Sequence, residues 1–260
     1  MSAEEFAARV RRREPVVGYW VVLDAPVATE RLAGAGYDYV VLDGQHGLIG
    51  SAGMLAGLVA VDAAGHAAGL VRVEANDPTP IGRALDAGAA GVIVPLVSTA
   101  EEAAAAVAAA RYPPAGIRSY GPMRSSLRIG PEPAEANSAT VVLAMVETPL
   151  GLAEVEAIAA TPGLDGIYIG PSDLTLAVGG ASPSDRTVSE QFDQALVRIR
   201  KACEASGIAA GIHTDSGELA ATRLGEGFTF VSISADLTHL EQAARDHLAV
   251  ARAQSADRHE

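Results

Sequence analysis

The chain has 260 residues, 49% hydrophobic and 4% aromatic, with a formal net charge of -13. That length can bury the core of one large α/β domain over 1–260, and the acidic balance argues against a nucleic-acid partner, which needs a basic face. Apolar runs are strand-sized and broken by Gly or charge, which argues against a membrane span, and the lone Cys203 excludes an internal disulfide and a thiolate metal cluster.

The first residues, MSAEEFAARVRRREP, read as a charged helix. They lack the basic-then-apolar order of a signal peptide, so a cytoplasmic location is expected. A strand follows over 16–23, then a short helix over 26–33 with proline in its first turn and Gly34 past its end. A second strand, 38–43, runs into the loop Gly44-Gln45-His46-Gly47, and a helix covers 51–64. The third strand, 69–74, carries Arg72, and a helix over 80–87 ends at Gly88. Strand four is 91–95 and an Ala/Glu-rich helix spans 99–110.

The alternation then pauses. Residues 111–140 are rich in Pro, Gly and Ser and read as a long excursion, of the kind that serves as a lid or a subunit contact. Strand five, 141–146, leads directly to Glu147; a helix covers 152–160; strand six, 166–169, leads to Asp173. A second Gly/Pro/Ser-rich loop is expected over 171–186, then a helix over 189–206, strand seven at 208–212, a helix at 217–224, strand eight at 228–232 and a last helix over 236–252.

Eight strand–helix alternations point to an α/β fold, a (β/α)₈ TIM barrel. A doubly wound nucleotide-binding sheet would place a glycine-rich loop after its first strand, whereas Gly34-Ala35-Gly36 precedes a strand and reads as a helix end.

Barrel chemistry sits at the C-terminal ends of the strands. Those positions hold Trp20, Asp43, His46, Arg72, Glu74, Pro95, Glu147, Asp173, His213 and Asp236. Glu147 and Asp173 follow successive strands and suggest a site for a hard divalent cation, although any two acids can be solvated loop residues. Arg72, between Val71 and Val73, must pair or face the barrel mouth, because a lone buried charge is costly; Glu74 is one candidate partner. Asp43 can equally cap a turn, and His46 can be an ordinary exposed histidine. Trp20 reads first as core; His213 and Asp236 read as supporting or surface residues. Lys201 is the one lysine, on the polar side of its helix, so a Schiff-base enzyme lacks its desolvated amine.

Five stretches together carry a resemblance: YDYVVLDGQHG (37–47), VRVEANDPTPIGRALDAGAAGVIVP (71–95), RYPPAGIRSYG (111–121), MVET (145–148) and GIYIGPSDL (166–174). They resemble the HpcH/HpaI aldolases, class II metal-dependent pyruvate aldolases, across nearly the whole chain. The resemblance implies reversible cleavage of a 4-hydroxy-2-keto acid to pyruvate, or a related 2-keto acid, and an aldehyde. It implies Glu147 and Asp173 as ligands of Mg²⁺, Mn²⁺ or Co²⁺, Arg72 as the group neutralising the enolate, and His46 with Asp43 as the proton-moving pair. Trp20 matches a tryptophan of the first strand, and Asp86, in LDAGA, an acid reaching a neighbouring subunit's site. Gly170, Pro171 and Ser172 would adjoin the substrate carboxylate, with backbone N–H donors from Gly170 and Ser172 only, since proline has none. Relatives form hexamers, trimers of dimers with exchanged C-terminal helices.

Two departures stand out: Gln45 where many relatives have Glu, and Met145 where many have Gln. They leave the acidic pair intact but bear on substrate preference. On the same residues, decarboxylation of oxaloacetate-like acids, acyl-CoA cleavage and non-catalytic keto-acid binding are the rival readings.

Overall fold

The computed structural model describes residues 1–256. Its elements are α1 (Ala3–Arg11), β1 (Val16–Val21), α2 (Pro26–Ala33), β2 (Tyr39–Asp43), α3 (Ser51–Ala64), β3 (Ala68–Arg72), α4 (Pro78–Asp86), β4 (Gly91–Val94) and α5 (Ala100–Ala110). The second half adds α6 (Pro133–Ala139), β5 (Val141–Met145), α7 (Pro149–Ala153), α8 (Val155–Ala159), β6 (Gly166–Ile169), α9 (Pro171–Ala177), α10 (Ser189–Ser206), β7 (Ala209–Thr214), α11 (Gly217–Gly225), β8 (Phe230–Ala235) and α12 (Asp236–Ala256). The strands pair in parallel, each with the next in sequence, and β8 closes onto β1 in a barrel. The (β/α)₈ expectation is met.

Side chains alternate across a strand, so each strand divides its residues between two cores. In β5, Val142 and Ala144 face the helices, while Val141, Leu143 and Met145 face the barrel interior. The same parity sends Tyr39, Val41 and then Asp43 inward on β2, and Ala68, Leu70 and then Arg72 inward on β3. The interior thus begins apolar at the bottom and turns polar at the C-terminal mouth.

The bottom is closed by α1, whose Phe6, Ala7 and Val10 are fully buried. Phe6 meets the rings of Tyr39 at 5.9 Å and Phe230 at 6.2 Å, and those two stack at 4.2 Å. Above them the Tyr39 and Tyr168 hydroxyls share Ser232 Oγ, at 3.0 and 2.7 Å. Arg11 and Arg111 both grip the buried Asp165, at 2.7 and 3.2 Å, which ties α1 and the start of the 111–140 segment to the base of β6.

Several expected stretches differ. Residues 171–186 are not all loop: Pro171 is the first residue of α9, the helix position where its missing N–H costs nothing. The 152–160 helix begins earlier, at Pro149, and breaks at Glu154; Arg198 of α10 takes up the Ala153 carbonyl at the break, at 2.9 Å. The 111–140 excursion contains a 3₁₀ turn at Ser125–Leu127 and helix α6. Strand β7 extends to Thr214, so His213 lies within a strand rather than after it. Among the described residues no helix is long and apolar enough to cross a membrane.

Candidate active site

A cavity of about 270 Å³ opens at the C-terminal mouth of the barrel. Trp20, Val22, His46 and Arg72 line one part of it, Met145, Tyr168 and Gly170 to Asp173 another, and His213 with Ala235 a third. Each is there for a local reason. Trp20, Arg72, Met145, Tyr168 and His213 are inward-facing positions of five strands, at or near their C-terminal ends. Ala235 is brought in by a bulge: the β1–β8 register shifts past Ser234, which takes a positive φ of 47°.

Asp43 and Arg72 are direct cross-strand partners in the β2–β3 register. Arg72 Nε donates to Asp43 Oδ1 at 2.9 Å and a terminal nitrogen donates to Oδ2 at 2.5 Å, a bidentate clamp. Trp20 Nε1 donates to the same Oδ2 at 3.1 Å, and Trp20 lies under the guanidinium, 5.1 Å from ring centroid to carbon. The backbone N–H groups of Gln45 and His46 both donate to Asp43 Oδ1. Burial pushes the Asp43 carboxyl upward, but the Arg72 hydrogen bonds and charge, with Trp20 and the His46 amide, outweigh it and hold the group below the ordinary range. So Asp43 fixes Arg72 and the His46 backbone; it makes no hydrogen bond to the His46 ring. Glu74 is exposed and is not the partner of Arg72.

Glu147 is 4% exposed. Its Oε1 accepts from the Leu96 amide at 3.0 Å, while Oε2 is buried and makes no hydrogen bond among the described residues. Burial raises its pKa to about 7; the Leu96 amide opposes this, Asp173 adds repulsion, and Arg72 opposes it again. Gly170 is small for a reason visible here: a Cβ would meet Glu147 Oε2 at 2.7 Å and the Met145 methyl at 3.1 Å. Asp173 sits in the first turn of α9, on the cavity wall, with Gly170 as N-cap. A buried carboxylate with one unpartnered oxygen, pressed by a second carboxylate, suits a cation. Among the described residues no group of three or more His, Cys, Asp or Glu could hold a metal, so a cation here would draw its remaining ligands from substrate oxygens and water.

Not every expected site residue converges. Asp86 lies outside the cavity, held at 2.7 Å by the buried Arg118. Asp236 ties down the chain after β1 by accepting from the Val22 and Leu23 amides, at 2.9 and 3.2 Å. No residue of 111–140 lines the cavity. Lys201 is exposed on α10 and puts no amine in the cavity. His213, read from sequence as peripheral, is in the cavity wall; counting inward positions from Ala209 through Gly211 would have found it.

A family model described as HpcH/HpaI aldolase/citrate lyase matches residues 17–243. The chain is 41% identical over 240 residues to a hydroxypyruvate/pyruvate aldolase of Rhizorhabdus wittichii, covering 92% of this chain and 95% of that one. It is 39% identical over 244 residues to a 4-hydroxy-2-oxovalerate aldolase of Rhodococcus jostii, covering 92% of each. The crystal structure of an HpcH/HpaI aldolase/citrate lyase family protein from Burkholderia cenocepacia superposes with a TM-score of 0.86 at 32% identity, over 96% of this chain and 99% of that one.

Proposed function

The chain belongs to the HpcH/HpaI aldolase/citrate lyase family, and from that premise we propose that its cavity cleaves and forms the carbon–carbon bond between a 2-keto acid and an aldehyde. The chain is an aldolase of that family, hence a lyase. The substrates are 4-hydroxy-2-keto acids, with pyruvate or hydroxypyruvate as the keto-acid product. The observation that carries this reading is the buried, half-unpartnered carboxylate of Glu147 beside Asp173 and within reach of Arg72.

Glu147 and Asp173 would hold the divalent cation, Mg²⁺, Mn²⁺ or Co²⁺. Bound there, a cation supplies Lewis acidity to the keto group and favours the negative charge that bond cleavage leaves behind. Arg72 presents a fixed positive charge to the same developing charge, and Asp43 with Trp20 keeps it from reorganising during the reaction. Asp43 therefore acts through Arg72, as a positioning residue. His46, exposed at the mouth with its ring free of hydrogen bonds among the described residues, moves the proton at the aldehyde oxygen. The Ser172 amide is in the first turn of α9, where N–H groups lack intrahelical partners, and with the Gly170 amide it would meet the substrate carboxylate. Trp20 walls the substrate against β1.

The assembly we propose is a hexamer, a trimer of dimers exchanging C-terminal helices. Helix α12 supports it by leaving Leu240, Leu248 and Val250 half-exposed or more; in that assembly Asp86 would serve a neighbouring protomer's site. The proposed location is the cytoplasm. The test is to incubate the purified protein with pyruvate or hydroxypyruvate and a panel of aldehydes, and to identify products by NMR. New 4-hydroxy-2-keto acids are expected; keto-acid binding with no product from any aldehyde would leave only a binding protein.

A further inference from the structure

His213 is a cavity residue that the chemistry above leaves without a task. It stands on the inward face of β7 and meets the Trp20 ring edge-on, at 5.4 Å and 79°. Its ring nitrogens make no hydrogen bond among the described residues, although the side chain is largely enclosed. Burial lowers its pKa to about 4; Asp215 and Asp43 oppose the shift and Arg72 adds to it. At neutral pH the ring is therefore uncharged, with one nitrogen offered as donor and the other as acceptor.

The strand order divides the cavity. Arg72 of β3, Met145 of β5 and the Gly170–Asp173 turn after β6 lie on one side, where the charges that attract a keto acid are. His213 of β7, Ala235 of β8 and Val22 after β1 form a continuous arc on the other. With the keto acid held by Arg72 and the carboxylates, the aldehyde must take that arc. Val22 and Ala235 offer that arc methyl groups and His213 is its polar side chain; His46, at the mouth, is engaged at the aldehyde oxygen, and the Trp20 N–H is already spent on Asp43. A purely aliphatic aldehyde would cover the two ring nitrogens and leave them unpaired, which is the costly outcome for a buried polar group. A hydroxyl next to the aldehyde carbon would pair with one of them.

We infer that His213 is a specificity-determining residue that selects 2-hydroxyaldehydes over their unsubstituted counterparts, by a hydrogen bond between its imidazole and the aldehyde's hydroxyl. This rests on the aldolase reading. Sites built to pair a substrate hydroxyl discriminate far better than apolar pockets do.

The experiment compares two matched pairs, glycolaldehyde with acetaldehyde and lactaldehyde with propionaldehyde, as kcat/KM with pyruvate. A ratio within one preparation does not depend on how much of a variant is folded. His213→Leu is expected to lower the hydroxylated-to-plain ratio about tenfold, and His213→Gln, which keeps a donor and an acceptor, to stay within about threefold of wild type. The inference is overturned if the ratio in His213→Leu stays within about twofold of wild type, or if His213→Gln loses as much, which would make the role one of packing against Trp20. It is also overturned if the variants instead change the preference between hydroxypyruvate and pyruvate, which would put the hydroxyl on the keto acid. A wild-type protein that joins pyruvate to no aldehyde at all fails earlier, and overturns the aldolase reading with it.

Discussion

Replacing Glu147 by Gln should stabilise the metal-free protein at alkaline pH, although it removes one of the two proposed metal ligands. Burial lifts the carboxyl from its ordinary 4.5 to about 7. At ~1.4 kcal/mol per tenfold change in proton affinity, the ionised group penalises the fold by about 3 kcal/mol. The folded chain binds this proton more tightly than the unfolded chain, so the penalty is absent below about pH 4.5, grows as pH rises, and is complete above about pH 7. Glutamine keeps the oxygen that accepts from Leu96 and puts an N–H₂ where the protonated acid has its O–H, so the cost of that unpaired group is common to both. Thermal unfolding in a chelator should show Glu147→Gln melting roughly 8 °C above wild type at pH 8, and level with it near pH 4.5. Adding Mn²⁺ should raise the wild-type midpoint and leave the variant's where it was. A variant less stable than wild type at pH 8, or a difference that does not change with pH, would refute the reasoning.

Other residues make separable predictions. Asp43→Asn strips the charge partner from Arg72 and should lower stability by about 3 kcal/mol and kcat/KM by about 100-fold, measured by denaturant titration and pyruvate release. Gly170→Ala forces a methyl against Glu147 Oε2. The far end of a flexible side chain yields easily, so calorimetric Mn²⁺ affinity should fall while the melting temperature in chelator barely moves. Phe6→Ala removes the plug against Tyr39 and Phe230 and should cost about 3–5 kcal/mol of stability, with KM for the keto acid unchanged, because the cavity is at the other end of the barrel.

Much of this was legible from the letters alone. The apolar run 141–146 leads directly to Glu147, and in a barrel that puts the acid at the C-terminal rim. What escaped was whatever depends on neighbours in space. Arg72 has acids on either side in sequence, and only the β2–β3 register reveals that Asp43, not Glu74, is its partner. Helix α9 hid behind Pro and Ser, residues that start a helix as readily as they make a loop. His213 was undervalued because β7 was ended two residues too early, which turned a wall residue into a loop residue. Asp43 is the subtlest case: the resemblance implies a proton-moving pair with His46, while its hydrogen bonds reach the His46 backbone and the Arg72 guanidinium.

The central claim is that Glu147 and Asp173 hold a cation the reaction needs. Protein stripped with a chelator should lose pyruvate release from a 4-hydroxy-2-keto acid and recover it on adding Mn²⁺ or Mg²⁺, while stripped Glu147→Ala should recover nothing. Full activity after chelation, or in Glu147→Ala, would contradict the account.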